Sequence, residues 1–461
     1  MAPAPWDSVP SHETFFVLVT GANSGIGFGI GERIIDEYLL TRPLTSHIVV
    51  IPTTRSAKKS RETVLGLRRH TAKFAETSKP LRSRAGPGYN PRDTTRRVHI
   101  LSVQLDLCSL PTIYSAAEVL TNGPLSTPDD DGPGADSFTP LVDVKIPRLD
   151  AVIFNAGIGG FTGLVWSKIA HNFLTEGFIQ ATTWPTFKGA DAGYTVRPLP
   201  KDETSVGEIW CANVFGHYLF ARQLVPLLSR PSSSPLPPGR IIWESSVEGD
   251  WDSFSLDDFQ GTRTPQGYES SKRLTDILCL TAHLPASKPY VAGYLQPPEP
   301  STMTPPKIYL IHPGVVLTTI FPLNAFMFFW YRVVLYLARW LGSPWHNITP
   351  YNGAAAASWL ALREQAELDA AGAEAVKWGS ATDRAGTSRV KMTEVEGWGW
   401  DGRVASRDED SVAGILRRTV GRKNRMPDVT EERRIEFEAL GAQCWREMER
   451  LRAEWEGKMG K

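Results

Sequence analysis

A tyrosine and a lysine, Tyr268 and Lys272, stand four residues apart in the stretch TPQGYESSKRLTD. On a helix, positions i and i+4 share one face, so the phenol and the ammonium would point into the same space. A nearby ammonium favours the phenolate and lowers the pKa of a phenol from its reference value of about 10. A phenol tuned in this way could donate a proton to a substrate oxygen. An exposed Tyr and Lys on a polar helix would show the same pattern, so the rest of the chain must decide.

A glycine-rich turn follows the first apolar run of the chain. Residues 15–20, FFVLVT, lead into GANSGIG, and a helical stretch comes next. Glycines allow a tight turn and a close approach of backbone to phosphate, and a helix that begins there presents free N–H groups. This context of strand, turn and helix predicts a dinucleotide site. Its predicted residues are Gly21, Asn23, Ser24, Gly25, Ile26 and Gly27.

The segment after the second predicted strand, VVIPTTRSAKK, contains no acidic residue. A carboxylate at this place hydrogen-bonds the ribose of NAD, whereas a cation accommodates the 2′-phosphate of NADP. Arg55 and Lys58 are present, so the sequence predicts NADP(H) as cofactor, with Arg55 as the phosphate partner. A solvated basic turn is the alternative interpretation.

A sheet must bring these residues together. The predicted strands are 15–20, 47–51, 98–105, 149–154, 240–244 and 307–311. The two clearest helical stretches between them are 205–229 and 267–284. Strands that alternate with helices predict an α/β fold with a doubly wound parallel sheet, the Rossmann fold. Ligands of such a sheet bind at the carboxyl ends of its strands.

The composition excludes some functions. The chain has 461 residues with 50 basic and 50 acidic side chains, so its formal net charge of zero argues against a general nucleic-acid binder. Its four cysteines are scattered without a CxxC pair, so neither a metal site nor a disulfide framework is predicted. The N-terminal stretch MAPAPWDSVPSHET lacks the basic and apolar regions of a secretory signal.

Six elements occur in the order that is typical of the short-chain dehydrogenase/reductase family. They are TGxxxGIG, the NAG from Asn155 to Gly157, the NVFGH with Asn213, the SS after the fifth strand, the YxxxK, and the PG before Thr318. Each element alone is short, but their joint occurrence over residues 14–320 is specific. The chain therefore resembles this family.

The resemblance implies a role for each matching residue. Tyr268 would protonate the carbonyl oxygen as hydride arrives from the nicotinamide, Lys272 would lower the pKa of Tyr268 and hold the nicotinamide ribose, and Asn213 would kink its helix and hold a relay water. A phenol, a cation and a hydroxyl that converge where negative charge develops would stabilise the transition state. Further cofactor contacts are implied for Asp106, Asn155, Ala156, Gly157, Pro313, Gly314, Val316 and Thr318.

The catalytic serine has three candidates. The family commonly has a shorter interval between serine and tyrosine than the one between Ser246 and Tyr268, and Ser255 stands at that usual interval. Ser246 directly follows the fifth predicted strand, and strand ends point into the ligand crevice. We therefore predict Ser246, with an inserted loop after it, and keep Ser245 and Ser255 as alternatives.

Further stretches resemble the 3-keto-steroid reductases of sterol biosynthesis. They are FSLDDFQG, NVFGHYLFARQLVPLL, IIWESS, TPYNGAAAASWLAL and WGSATDRAGTSRV, together with an insertion at 159–204. This resemblance implies NADPH-dependent reduction of the 3-ketone left after C4 demethylation to a 3β-hydroxyl. It also implies other C4-demethylation enzymes as partners, at the cytosolic face of the endoplasmic reticulum membrane or of a lipid droplet.

Two alternative functions remain open. The chain could reduce another lipophilic carbonyl, such as a retinal or a polyketide, or act as a scaffold for a partner sterol enzyme. Ser246, Tyr268, Lys272 and Asn213 are all intact, which argues against a role only as a scaffold.

Residues 320–341 read IFPLNAFMFFWYRVVLYLARWL. Their length would suit a membrane span, but arginines within a span are costly. A helix in the membrane interface or a lid over an apolar site fits better. We predict an interfacial lid within a membrane-facing segment, 320–345. The apolar surface of this lid is predicted to consist of Phe326, Phe328, Phe329, Trp330 and Tyr331. Arg332 and Arg339 are predicted to reach lipid headgroups.

We predict one NADP-binding reductase domain over residues 12–360 and a C-terminal extension over 361–461 that packs on it. The extension includes a charged amphipathic helix. Segments rich in Arg, Pro, Gly or Ser, or inserted relative to the family, are predicted to be inserted loops. These segments are 76–97, 122–147, 159–204 and 285–306.

Overall fold

The computed structural model describes residues 4–128, 138–318, 323–404 and 420–460. Its strands are β1 (Thr14–Val19), β2 (His47–Thr54), β3 (Val98–Ile100), β4 (Val103–Gln104), β5 (Ala151–Phe154), β6 (Phe161–Leu164), β7 (Lys188–Ala190), β8 (Thr195–Val196), β9 (Val206–Gly207), β10 (Arg230–Pro231), β11 (Arg240–Glu244), β12 (Met303–Thr304), β13 (Lys307–His312), β14 (Val315–Val316), β15 (His346–Ile348), β16 (Lys377–Thr382) and β17 (Ser388–Thr393).

The helices lie mostly between these strands. They are α1 (Gly25–Thr41), α2 (Ala57–Thr77), α3 (Lys79–Ala85), α4 (Pro91–Thr95), α5 (Leu110–Thr121), α6 (Trp166–Thr175), α7 (Phe178–Thr183), α8 (Glu208–Trp210), α9 (Gly216–Leu228), α10 (Gly267–Thr281), α11 (Lys288–Tyr294), α12 (Ala325–Trp340), α13 (Pro350–Gly353), α14 (Ala355–Leu362), α15 (Gln365–Ala370) and α16 (Glu431–Lys458). A π-helical turn, Cys211–Phe215, joins α8 to α9.

Nine strands form the central sheet in the order β17-β16-β13-β11-β5-β1-β2-β3, with β4 paired to β2. The neighbouring strands run parallel except β16 and β17, which are antiparallel. The strand order changes direction between β1 and β5, where a doubly wound sheet opens a crevice for ligands at the carboxyl ends of its strands. The predicted doubly wound parallel sheet is confirmed.

Helices bury both faces of the sheet. In β1, Phe16 and Leu18 join the core beneath α5, α9 and α10, whereas Val17 and Val19 join the core beneath α1, α2 and α14. Successive side chains of a strand point to opposite faces, so a strand covered on both sides needs apolar residues at every position. This is why the central strands could be recognised as unbroken apolar runs.

The sheet continues beyond residue 360 through β16 and β17, two strands that were not predicted. All six residues of β16 are buried, yet its sequence KWGSAT contains small and polar residues rather than an apolar run. It therefore lacks the sequence pattern of a core strand. The predicted C-terminal helix is present as α16, which packs on α10 and α11.

Two other sequence predictions were wrong in detail. The strand predicted over 98–105 is divided into β3 and β4. The segment 76–97 is not a loop, because it contains the last residues of α2 and the whole of α3 and α4. The latter two helices have a proline in their first turn, where the missing N–H costs nothing, and Ser78 and Asn90 cap them.

The other segments predicted to be loops also contain regular structure. Segment 159–204 contains β6 to β8 with α6 and α7, and segment 285–306 contains α11 and β12. In segment 122–147, Leu125 and Val144 form a β-bridge, and residues 129–137 lie outside the described residues.

Candidate active site

The turn between β1 and α1 leaves bare backbone at the carboxyl edge of the sheet. Gly21 has a φ of 64°, and a Cβ there would lie 2.8 Å from the Cβ of Ala156. A Cβ on Gly27 would lie 2.5 Å from Nδ2 of Asn155. Helix α1 begins at Gly25 without a side-chain cap, so its first N–H groups can meet an anion.

The NAG segment is fastened to this turn through Thr20, a residue that the sequence analysis did not single out. The Thr20 hydroxyl accepts hydrogen bonds from the N–H groups of Asn155 and Ala156 at 3.0 and 3.1 Å. It also lies 2.9 Å from Nε2 of His217, whose pKa burial lowers to about 3. The Thr20 hydroxyl and the neutral imidazole of His217 thus fix the position of the NAG segment relative to the glycine turn.

The PG turn after β13 forms the opposite side of the crevice. Gly314 has a φ of 70°, and a Cβ there would lie 2.4 Å from the carbonyl oxygen of Trp345. Asn347 donates a hydrogen bond of 2.6 Å to the carbonyl of Pro313, and Val316 belongs to β14, which pairs with β15. Contacts with Asn347 and β15 therefore fix the backbone of the predicted residues Pro313, Gly314 and Val316.

The remaining predicted cofactor residues lie around the same crevice. Thr318 faces the glycine turn, since a Cβ on Gly25 would lie 3.6 Å from Cγ2 of Thr318. One carboxylate oxygen of Asp106 accepts a hydrogen bond from the Cys108 N–H at 3.0 Å. Arg55 is exposed just beyond β2, and within the described residues its guanidinium has no ion pair. Asn23 donates to Ser24 at 3.2 Å, and Ile26 is half-buried at the start of α1.

Helix α10 carries Tyr268 and Lys272 on one face. The Lys272 ammonium is buried, lies 5.6 Å from the centroid of the Tyr268 ring and donates a hydrogen bond of 2.9 Å to the carbonyl of Glu244. A Cβ on Gly157 would lie 4.0 Å from this ammonium and 2.9 Å from Oδ1 of Asn213. The NAG segment, Asn213 and Lys272 therefore meet in one place.

Asn213 lies in the π-helical turn between α8 and α9, so the predicted distortion of its helix is present. Its amide oxygen accepts a hydrogen bond of 2.8 Å from the Ile158 N–H, and its amide nitrogen donates to the Ile158 carbonyl and to Ser271 Oγ. The water predicted in the proton relay stays a prediction.

The three candidate serines have different surroundings. Ser245 is buried and its hydroxyl donates a hydrogen bond of 3.2 Å to the backbone carbonyl of Lys272. Ser255 is exposed and caps a short 3₁₀ turn by accepting from the Asp257 N–H. Ser246 lies close enough to Tyr268 for its hydroxyl to lower the pKa of the phenol. The placement at a strand end favours Ser246.

The electrostatics of Tyr268 differ from the expectation. Burial is the largest influence and raises the pKa of Tyr268 above its usual value. The Glu248 carboxylate raises this pKa further, whereas the Lys188 ammonium and the Ser246 hydroxyl lower it. Lys272 is not among the main influences on the pKa of Tyr268, and burial lowers the pKa of its own ammonium. A raised pKa keeps the phenol protonated at neutral pH, which is the starting state of a proton donor.

The residues that cover Tyr268 from outside the sheet were not predicted from the sequence. Phe161 on β6 lies edge-on to the Tyr268 ring, with a centroid distance of 5.3 Å, and Lys188 on β7 lies over the same ring. Both belong to the inserted segment, which carries no motif, so no sequence signal could have identified them.

A second set of buried charges lies behind Lys272. Glu244 at the end of β11 is buried, and burial raises its pKa. Further along α10, Asp276 forms a buried ion pair of 2.6 Å with Lys377 on β16. These charges belong to the core behind the catalytic face, and β16 brings one of them although the strand itself was not predicted.

Helix α12 follows the PG turn and has two unlike faces. Leu335 and Ala338 are buried, whereas the opposite stripe is exposed and apolar. This stripe consists of Phe326, Phe329, Trp330, Val333, Leu337 and Trp340. Such spacing places all six on one side of a helix. Among the described residues, no helix has the length and apolarity required to cross a membrane.

Some predicted details of this segment were wrong. Phe328 and Tyr331 are half-buried and lie on the inner side of α12 rather than on its exposed face. Arg339 is buried with its guanidinium 4.8 Å from the Tyr336 ring, so it does not extend towards a surface, whereas Arg332 is exposed. Residues 320–322 lie outside the described residues.

Comparison with known proteins gives close relatives. The chain is 47% identical to the 3-keto-steroid reductase ERG27 of Gibberella zeae over 474 aligned positions, which cover 100% of this chain and 98% of the relative. It is 39% identical to the 3-keto-steroid reductase erg27 of Aspergillus fumigatus, with 96% and 94% of the two chains covered. No family model matches the chain.

Solved structures give only a distant likeness. A 3-oxoacyl-[acyl-carrier protein] reductase from Brucella melitensis in complex with NAD matches 75% of this chain and 89% of its own, with 15% identity and a TM-score of 0.38. This score is too low to support a conclusion, so the fold is assigned from the order and direction of the strands.

Proposed function

The chain belongs to the 3-keto-steroid reductases of the short-chain dehydrogenase/reductase family, and we propose that it reduces the 3-keto group of a sterol intermediate to a 3β-hydroxyl during C4 demethylation, with NADPH. The observation that carries this proposal is the convergence of Tyr268, Lys272 and Ser246 at the carboxyl edge of the sheet, beside a glycine turn. A scaffold would not need a proton donor beside a dinucleotide crevice.

The glycine turn fits a dinucleotide. Any side chain on Gly21 or Gly27 would collide with the NAG segment, so bare N–H groups at the start of α1 are left to meet a pyrophosphate. The exposed guanidinium of Arg55 at the end of β2 suits the 2′-phosphate of NADPH. When bound, the nicotinamide supplies the hydride that the carbonyl carbon receives.

The protein groups then handle the proton and the charge. Tyr268 gives its phenolic proton to the ketone oxygen, so that the O–H bond of the tyrosine is replaced by that of the new alcohol. The Ser246 hydroxyl hydrogen-bonds the same oxygen while negative charge develops on it. Lys272 would hold the nicotinamide ribose, and Asn213 fixes the backbone of Ile158, directly after the NAG segment.

The shape of a sterol fits the cover of this site. A sterol is a long apolar body with one polar end, and the half-buried Phe161, Phe328 and Tyr331 offer apolar and aromatic surface near Tyr268 or on the inner side of α12. The exposed stripe of α12 suits the membrane interface, where aromatic residues gather. We place the enzyme on the cytosolic face of the endoplasmic reticulum membrane or of a lipid droplet, beside the other C4-demethylation enzymes.

A substrate panel tests this function. The full-length protein, purified in detergent, would be assayed with NADPH or NADH against 3-keto-sterols, a retinal and a water-soluble ketone, with Tyr268→Phe as the control. We expect turnover of the 3-keto-sterols with NADPH and loss of that turnover in the variant. Faster turnover of the retinal would favour another lipophilic carbonyl as substrate, and no turnover of any ketone would favour a scaffold.

A further inference from the structure

A second lysine approaches Tyr268 from the inserted segment. The Lys188 ammonium on β7 lies 5.3 Å from the centroid of the Tyr268 ring and 4.5 Å from that of Phe161. The Lys272 ammonium lies 5.6 Å from the same tyrosine ring. Two ammonium groups from different parts of the chain therefore lie at nearly equal distances from the ring.

Two carboxylates hold Lys188 in this position. Its ammonium forms an ion pair of 2.6 Å with Glu269, the residue after Tyr268, and another ion pair with Glu248. The backbone N–H of Glu248 donates to Ser246 Oγ at 3.2 Å, which links this cluster to the serine. The cluster of Lys188, Glu248 and Glu269 therefore borders the two residues that would contact the ketone oxygen.

All three charged side chains of this cluster are largely withdrawn from water. Their exposed fractions are 8% for Lys188 and 16% for each glutamate, so water screens their charges only weakly. Burial of an ion cluster often stabilises a fold no more than an apolar set of similar volume would. A role in holding the hairpin alone therefore does not explain why these residues are charged.

We propose that Lys188 and Glu248 are positioning residues that set the acidity of Tyr268 with opposite signs. The Lys188 ammonium stabilises the phenolate that remains after proton transfer, and the Glu248 carboxylate destabilises it. The inference rests on the proposed role of Tyr268 as the proton donor. Since Lys188 comes from an insertion outside the sheet, the inserted segment would tune the chemistry of the sheet as well as cover it.

Other charged groups face this cluster from neighbouring elements. Lys272 on α10 also lies near the ring, and Glu244 and Asp276 act on its ammonium. The carboxylate of Asp250, in the loop after β11, raises the pKa of Glu248. Tyr331 on α12 is near both Lys188 and Glu248, and burial raises its pKa to about 12. Each of these groups is the same in the variants compared below.

The two residues should shift the pH dependence in opposite directions. In the oxidation of a 3β-hydroxysterol with NADP⁺, the phenolate of Tyr268 is the base, so the rate rises as pH rises through the pKa of the phenol. Lys188→Met removes a positive charge and should move the midpoint of this rise upward by roughly one pH unit. Glu248→Gln removes a negative charge and should move it downward by about as much.

The experiment measures this pH profile for the full-length enzyme in detergent. Lys188→Arg keeps the charge and should keep the wild-type midpoint. Lys168→Met, on the exposed face of α6 in the same insertion, is the matched control and should also keep it. General damage to the fold would lower the rates without moving two midpoints in opposite directions.

A spectroscopic titration gives the same answer without turnover. The absorbance of the Tyr268 phenolate is obtained in the presence of NADP⁺ as the difference between each protein and its Tyr268→Phe counterpart. Opposite shifts for Lys188→Met and Glu248→Gln would support the inference even if the substrate had been misidentified. Unshifted midpoints, or midpoints that move in the same direction, would overturn it while leaving an active wild-type enzyme as evidence for the proposed function.

Discussion

The cofactor crevice and the inserted segment reach Tyr268 by different routes. The crevice supplies Ser246 from the end of β11 and Lys272 from α10, so hydrogen bonds within the sheet and helix fix both positions. The inserted segment supplies Phe161 and Lys188 from the hairpin of β6 and β7, which lies outside the sheet and approaches the ring through side chains. This difference suggests a division of labour, in which the crevice carries the reaction and the insertion adjusts charge and cover.

Removal of the phenolic hydroxyl should have the largest effect. Tyr268→Phe takes away only the donated proton, and proton donation typically contributes about 10²–10⁴-fold to a rate. We expect kcat for a 3-keto-sterol to fall by that amount while the Kd for NADPH, measured by fluorescence, changes little. Tyr290→Phe on α11 is the control. Retained turnover would show that the proton comes from another group, such as the charged cluster of the insertion, and that the crevice does not carry the reaction alone.

Loss of the serine hydroxyl should have the next largest effect. Ser246→Ala removes a donor to the oxygen on which charge develops, so kcat/KM should fall by roughly 10²–10³-fold. Ser255 is exposed on a 3₁₀ turn, so Ser255→Ala should change kcat/KM by less than about twofold. A larger loss for Ser255→Ala would show that the catalytic hydroxyl belongs to Ser255, in the loop after the strand, and not to Ser246 at the strand end.

Arg55, beyond the end of β2, should determine the preference for NADPH over NADH. A charge-assisted contact between Arg55 and the 2′-phosphate is worth about 1.5–3 kcal/mol, which corresponds to roughly 10- to 150-fold in affinity. Arg55→Ala should raise the KM for NADPH by that factor and leave the KM for NADH nearly unchanged. Arg61→Ala, at an exposed position on α2, is the matched control. Equal weakening of both cofactors would make Arg55 a structural residue.

The smallest effect on catalysis should come from the exposed stripe of α12. Each aromatic side chain that leaves the membrane loses about 1.5 kcal/mol, or roughly tenfold in membrane binding. Phe329→Ser should therefore release protein from vesicles and raise the KM for sterol ketones, without changing kcat for a water-soluble ketone. Ile435→Ser on α16 is a control with similar exposure, 54% against 59% for Phe329. Unchanged vesicle binding for Phe329→Ser would contradict the membrane role of α12.

The sequence predicted the residues whose types are dictated by backbone geometry. Gly21 and Gly314 could be identified because a positive φ and a close neighbouring chain exclude side chains at both positions. The central strands could be identified because burial on both faces requires apolar runs. Tyr268 and Lys272 could be identified because a helix places i and i+4 on one face.

The remaining features depend on contacts between distant parts of the chain. Strand β16 is fully buried but contains Ser380 and Thr382, whose hydroxyls bond to Gly353 and His346 rather than to water. Lys188 meets Glu248 and Tyr268 only after the insertion has folded back over the sheet. Neither local propensity nor spacing carries that information.

Transfer of deuterium from the cofactor to C3 of the sterol is the sharpest test of the proposed hydride reduction. The full-length enzyme would be incubated with a 3-keto-sterol and NADPH that carries deuterium on the transferable position of the nicotinamide, and the product would be examined by mass spectrometry and NMR. We expect a 3β-hydroxysterol with one deuterium at C3 from the wild-type enzyme and no such product from Tyr268→Phe. A product without deuterium, a 3α-hydroxyl, or the same product from Tyr268→Phe would show that the proposed reaction is wrong.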